Sequence, residues 1–141
     1  MRQKLDEKLC KDYPKIFANR HGDMTETAMC WGFECGDGWY PLINLLCREI
    51  QWHLDKNAKE GTTQFVASQV KEKYGTLRFY GDGGDDKINN FIWFAEVMSG
   101  ITCEKCGAPG KHRGRGWFYT ACDAHTKEED LIDETEGEEN E

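Results

Sequence analysis

The sequence predicts an α+β fold, a small mixed domain in which a β-hairpin, the start of an antiparallel sheet, is packed by helices. A C-terminal treble-clef-like zinc module follows it. Three observations predict this. Two stretches, 39–54 and 85–99, repeat apolar residues at the helical period. Between them, 64–73 and 76–80 read as two strands around Tyr74-Gly75. After them stand a Cys-x2-Cys pair and a Cys-x2-His pair. At 141 residues and 16.3 kDa the chain holds one core and an appendage, not two full domains. The expected division is a body over about 1–100, a metal module over about 101–126 and a disordered acidic tail over 127–141.

A first helix is expected over 2–18, with Leu5, Leu9 and Tyr13 on one face. Pro14 should break or kink it and leave Ile16 and Phe17 to pack separately. His21-Gly22-Asp23 marks a surface turn, and Trp31 to Cys35 suits a short strand. Gly36-Asp37-Gly38 then feeds the second helix, with Asp37 or Gly38 as its N-cap and Pro41 tolerated in its first turn. Trp39, Leu42, Ile43, Leu46 and Ile50, with His53 or Leu54, fall on its apolar face. The third helix runs from Asp85 to Ser99, with Ile88, Phe91, Ile92, Ala95 and Met98 inward and Gly100 at its end.

Within the hairpin, aligning the apolar residues sets Glu72 opposite Leu77 and Val70 opposite Phe79. The other face then holds Gln69, Lys71, Lys73, Thr76, Arg78 and Tyr80, with Lys71 directly opposite Arg78. Like charges so placed destabilise a sheet and invite an anion, from the same protein or from a ligand. A bulged turn at Gly75 would shift this pairing by one.

Net charge is −8, but residues 127–141 alone carry nine acids against Lys127, so the rest of the chain is neutral. Overall acidity therefore excludes no anionic ligand. No stretch reaches the ~20 apolar residues of a membrane helix. The charged start Met1-Arg-Gln-Lys is unlike a signal peptide, so a cytoplasmic protein is expected.

Cys103, Cys106, Cys122 and His125 form the C-x2-C and C-x2-H pairs, fifteen residues apart. Such pairs supply four ligands to a tetrahedral Zn²⁺, which leaves no open position and makes the ion structural. Gly107 frees the backbone for the first knuckle, and His112 is the alternative to His125. Lys105, Lys111, His112, Arg113 and Arg115 make the module locally basic, so nucleic-acid contact is an open reading. Cys10, Cys30, Cys35 and Cys47 lack a recognised ligand spacing and suit core packing. Gly36-Asp37-Gly38 is a poor phosphate cradle, since Asp37 puts a carboxylate there. No established hydrolase motif is present, and Glu34, Asp37, Asp82, Asp85 and Asp86 alone keep a metal-dependent nucleotide hydrolase in view.

Four segments carry a resemblance. They are Tyr13-Pro-Lys-Ile-Phe, Trp31-Gly-Phe-Glu-Cys-Gly-Asp-Gly-Trp-Tyr, Gln69-Val-Lys-Glu-Lys-Tyr-Gly-Thr-Leu-Arg-Phe-Tyr and Cys103-Glu-x-Cys-Gly. Together they resemble a family of small uncharacterised tailed-phage and prophage proteins, over roughly residues 9–125. The acidic tail departs from that pattern. The resemblance implies an accessory role in the bacterial cytoplasm during infection, and it carries no established activity to transfer. The expected function is then a non-enzymatic binding protein that counters host defence by sequestering a nucleotide-type immune signal. Lys71, Lys73 and Arg78 would hold phosphates, and Tyr80, Trp31 or Trp39 would stack on a base. A homo-oligomer fits such capture. The alternative is a regulatory zinc module that binds nucleic acid or protein.

Overall fold

The computed structural model describes residues 1–131. Helix α1 spans Gln3–Asp12 and buries Leu9. It stops short of the expected 18, because the residue before Pro14 is forced out of the helical region and Tyr13 becomes the C-cap. Ile16 and Phe17 still reach the core from the turns that follow. Trp31 ends a 3-10 turn, so the strand expected over 31–35 shrinks to β1, Phe33–Glu34.

Helix α2, Tyr40–Lys56, buries Ile43, Leu46, Cys47, Ile50 and His53. No side chain caps its start; the Asp37 carboxylate instead accepts from the backbone N–H and the Nε of Arg2, which corrects the expected cap. Strands β2, Val66–Lys73, and β3, Thr76–Asp82, form the hairpin. Glu72 pairs with Leu77, Val70 with Phe79 and Lys71 with Arg78, in the register that the apolar alternation predicts. Tyr74 (φ 53°) and Gly75 (φ 87°) make a two-residue turn with both φ positive, so no bulge shifts that end. The one irregularity lies between Ala67 and Gln69.

Strand β1 joins the other edge of β2 in parallel, giving the order β1-β2-β3. Helix α3, Asp86–Ser99, lies along the free edge of β3. Its Ser99 Oγ and Glu96 Oε2 accept from the N–H groups of Leu77 (2.8 Å) and Phe79 (3.0 Å), so that edge is satisfied by side chains rather than by another strand. Asp85 caps α3 through the Ile88 N–H and also takes His53 Nε2 at 2.7 Å. The core between sheet and helices centres on Trp39, Ile43, Ile50, Val70, Leu77, Phe79 and Ile88. The body is thus α+β, as expected.

The C-terminal part has treble-clef-like order. A knuckle at Cys103–Cys106 is followed by a hairpin of β4, Lys111–Arg113, and β5, Tyr119–Ala121, then by a 3-10 turn at Asp123–His125. Residues 128–131 are helical. They are held at Tyr119, whose hydroxyl donates to Asp130 and accepts from the Lys127 N–H. The tail therefore starts with an ordered turn, and the expected disorder of its remainder, 132–141, lies outside the described residues.

Candidate metal centre and the cleft beside it

The knuckle forms because Gly107, at φ 80°, lets the chain double back. The Gly107 N–H donates to the Cys103 carbonyl at 2.9 Å, and the Cys103 N–H donates to Ala108 O at 2.8 Å. The ligand atoms of Cys103, Cys106, Cys122 and His125 gather within 4.8 Å of one another. Cys106 Sγ lies 3.7 Å from Cys122 Sγ, and His125 Nδ1 lies 3.6 Å from Cys103 Sγ and 3.3 Å from Cys122 Sγ. A tetrahedron with metal–sulfur bonds of about 2.3 Å and metal–nitrogen bonds of about 2.0 Å has edges of roughly 3.5–3.8 Å. The cluster fits a metal ion. Burial pushes the Cys103 thiol up, but N–H groups of Cys122, Cys106 and Lys105 aimed at its sulfur outweigh that and bring it down to about 6. The site is built to hold a thiolate.

His125 takes the fourth place. The other candidate, His112, stacks instead on Phe118 with ring centroids 5.1 Å apart. Arg113 is buried; it donates to Ala121 O (3.3 Å) and to Asp123 Oδ1 (2.7 Å), so it braces the hairpin beside the ligands and does not face solvent. The remaining cysteines form no cluster with three or more metal-ligating groups among the described residues. Burial pushes Cys10 up to about 11 and Cys35 up to about 12, and it raises Cys47 well above its ordinary value. These are packed thiols.

Two sequence motifs seat this module on the body. At the first, Glu104 reaches Gly36-Asp37-Gly38. Its carboxylate accepts from the Gly36 N–H at 2.8 Å and its carbonyl from the Gly38 N–H at 2.7 Å. The Trp39 indole N–H donates to Thr102 O at 2.8 Å. Trp39 is fully buried, which corrects its assignment as a base-stacking residue: its ring belongs to the core and its one donor is spent on the metal module. At the second, the Thr120 hydroxyl donates to Gly75 O at 2.6 Å, and a Cβ on Gly75 would lie 3.0 Å from the His112 ring.

That second contact opens a cleft of about 460 Å³ between the β2–β3 turn and the β4–β5 loop. Lys71, Glu72, Lys73, Tyr74, Trp117 and Phe118 line it. Trp117 is 74% exposed, the most of any large apolar side chain described. Lys73 Nζ sits 5.6 Å from the centre of the Tyr74 ring. Of the residues expected to bind a ligand, Lys71 and Lys73 are in this cleft. Arg78 pairs with Lys71 in register but turns its guanidinium onto Thr76 Oγ1 and Leu77 O. Parallel pairing also puts Glu34 beside Lys71, so a carboxylate of the same protein shares that row. Tyr80 is exposed on the same face, and Trp31 is exposed in the turn before β1. Tyr74, Trp117 and Phe118 escaped the sequence reading. Their one local signal was the run Gly114-Arg-Gly-Trp-Phe, where aromatics follow a flexible turn.

No known protein family, curated protein or solved structure matches this chain. No helix among the described residues is long and apolar enough to cross a membrane.

Proposed function

We propose that this protein is a non-enzymatic binding protein in which a structural Zn²⁺ holds an aromatic, basic cleft that captures a nucleotide-type ligand. The observation that carries the reading is the cleft beside Trp117, where two lysines and three aromatic side chains converge from two separate hairpins. The lysines supply charge for phosphate, and an exposed indole supplies a stacking surface for a base, worth about 1–3 kcal/mol. Zinc is favoured by three sulfurs and one imidazole gathered within 4.8 Å of one another, the donor set of a structural zinc site. Four protein ligands leave the ion no open position, which supports holding rather than hydrolysis. A phage accessory role against host defence, in the bacterial cytoplasm, belongs to the same proposal and is supported by the motif resemblance.

Calorimetry on the full zinc-loaded chain tests the reading, with cyclic dinucleotides, ADP-ribose-type nucleotides and a short single-stranded oligonucleotide as separate arms. Binding of a cyclic dinucleotide or an ADP-ribose-type nucleotide is expected, weakened about 10-fold or more by Trp117→Ala and by Lys73→Glu. Binding of the oligonucleotide alone would move the assignment to nucleic acid. No binding in any arm, or a ligand recovered chemically altered, would overturn it.

A further inference from the structure

Helix α3 is apolar on two opposite sides. Ile88, Ile92, Ala95 and Ser99 face the core. On the opposite side Trp93, Phe94, Val97 and, just past the helix, Ile101 are each between 51% and 64% exposed. Phe94, Val97 and Ile101 are spaced by three and four, which stacks them into one stripe. An apolar stripe on each of two sides of a helix calls for cover on both. The adjoining flank of α2 has the same character, with Leu42, Leu45, Glu49 and Trp52 again spaced by three and four. Between the two helices runs an apolar groove of about 290 Å³ to which Leu42, Leu45, Phe91, Phe94 and Met98 contribute, with Glu49 as its one charged group.

We propose that this α2–α3 face is a homodimer interface, covered by the same face of a second copy of the chain. Area supports that occupant. Leu45, Trp52, Trp93, Phe94, Val97 and Ile101 together expose on the order of 500 Å² of apolar surface, at the upper end of what a monomer tolerates. A two-fold assembly buries that patch on both copies, on the order of 1,000 Å² before any rim is counted, which reaches the size of a specific interface. Charge supports it as well. Arg48 and Glu49, 3.4 Å apart on α2, are opposite in sign at adjacent positions. A two-fold axis near them lets each meet its opposite on the partner, as a self-complementary interface requires. A membrane surface or a strongly charged peptide would instead call for a rim of one sign.

Sedimentation or light scattering of the full chain over a concentration series tests this. The expected mass is twice 16.3 kDa. It should halve in the double variant Phe94→Glu, Val97→Glu and, independently, in Leu45→Arg on the other helix. These side chains are largely exposed, so the variants should keep the circular dichroism and metal content of the parent. Trp117→Ala, on the cleft, should remain a dimer. A parent that stays monomeric up to about 100 μM, an assembly larger than a dimer, or a dimer that both sets of substitutions leave intact would overturn the proposal.

Discussion

The backbone N–H of Gly38 donates to the carbonyl of Glu104 at 2.7 Å, across 66 positions of sequence, and leaves no room for a side chain. A Cβ on Gly38 would stand 2.2 Å from the Cys103 carbonyl oxygen and 2.6 Å from both Glu104 O and Gly107 N. Every one of these atoms is backbone of the metal knuckle. The Gly-Asp-Gly turn is therefore a seat for the metal module.

Gly38→Ala should consequently destabilise the protein by about 1–3 kcal/mol through overpacking. Because the displaced atoms belong to the knuckle, metal affinity should fall in the same variant. Thermal melts with a chromogenic metal-release assay check both. An unchanged melt with unchanged release would remove Gly38 from the seat.

Asp85 joins the two long helices. It caps α3 and takes His53 Nε2, while His53 Nδ1 is buried with no hydrogen-bond partner among the described residues. Asp85→Ala removes the cap and leaves the imidazole with neither nitrogen bonded, an expected loss of about 2–3 kcal/mol. Asp85→Asn should recover much of that, since an amide oxygen can still serve α3 or the ring. Chemical denaturation of the two variants separates the effects.

Burial pushes the Glu96 carboxyl above its ordinary value of 4.5, against the opposing pull of the Phe79 N–H and Arg78. A raised folded value means that the folded state holds the proton more tightly. Its contribution to stability is present below the unfolded value and is lost as pH rises through the folded one. Glu96→Gln keeps the acceptor for the Phe79 N–H and removes the charge. The variant should gain stability relative to the parent at pH 7 and lose that advantage below about pH 4. Urea midpoints at both pH values decide it, and a pH-independent difference would contradict it.

Chelation should unseat the 101–126 segment without dissolving the body. A four-ligand zinc site contributes of order 10 kcal/mol to the segment that it closes. The body has its own core around Trp39, Val70 and Leu77. Far-UV circular dichroism should keep the signal of α2 and α3 in the presence of chelator. The proposed nucleotide capture should be lost with it, because Trp117 and Phe118 stand on the module's β4–β5 loop.

Much of the body was legible in the sequence. Val70, Leu77 and Phe79 alternate with polar residues, which set their face; the Lys71–Arg78 pairing needed in addition that the turn take just Tyr74 and Gly75, without a bulge. The metal ligands were equally legible, since each pair lies within four residues and the chemistry needs both. Contacts between distant segments left no such trace. Trp39 looked available because an aromatic at a helix start has no fixed direction until the knuckle docks above it. Gly36-Asp37-Gly38 looked like a helix cap, because its partner, Glu104, lies far along the chain. The parallel pairing of β1 with β2 and the cleft at Trp117 depend likewise on where separate elements meet.

Elemental analysis of the purified chain bears most directly on the metal-held module. About one zinc per chain is expected. Cys106→Ser should strongly reduce the zinc content, and Cys47→Ser, on a packed core thiol, should retain it. A parent that carries no metal, or a Cys106→Ser variant with undiminished zinc, would contradict a structural centre at Cys103, Cys106, Cys122 and His125.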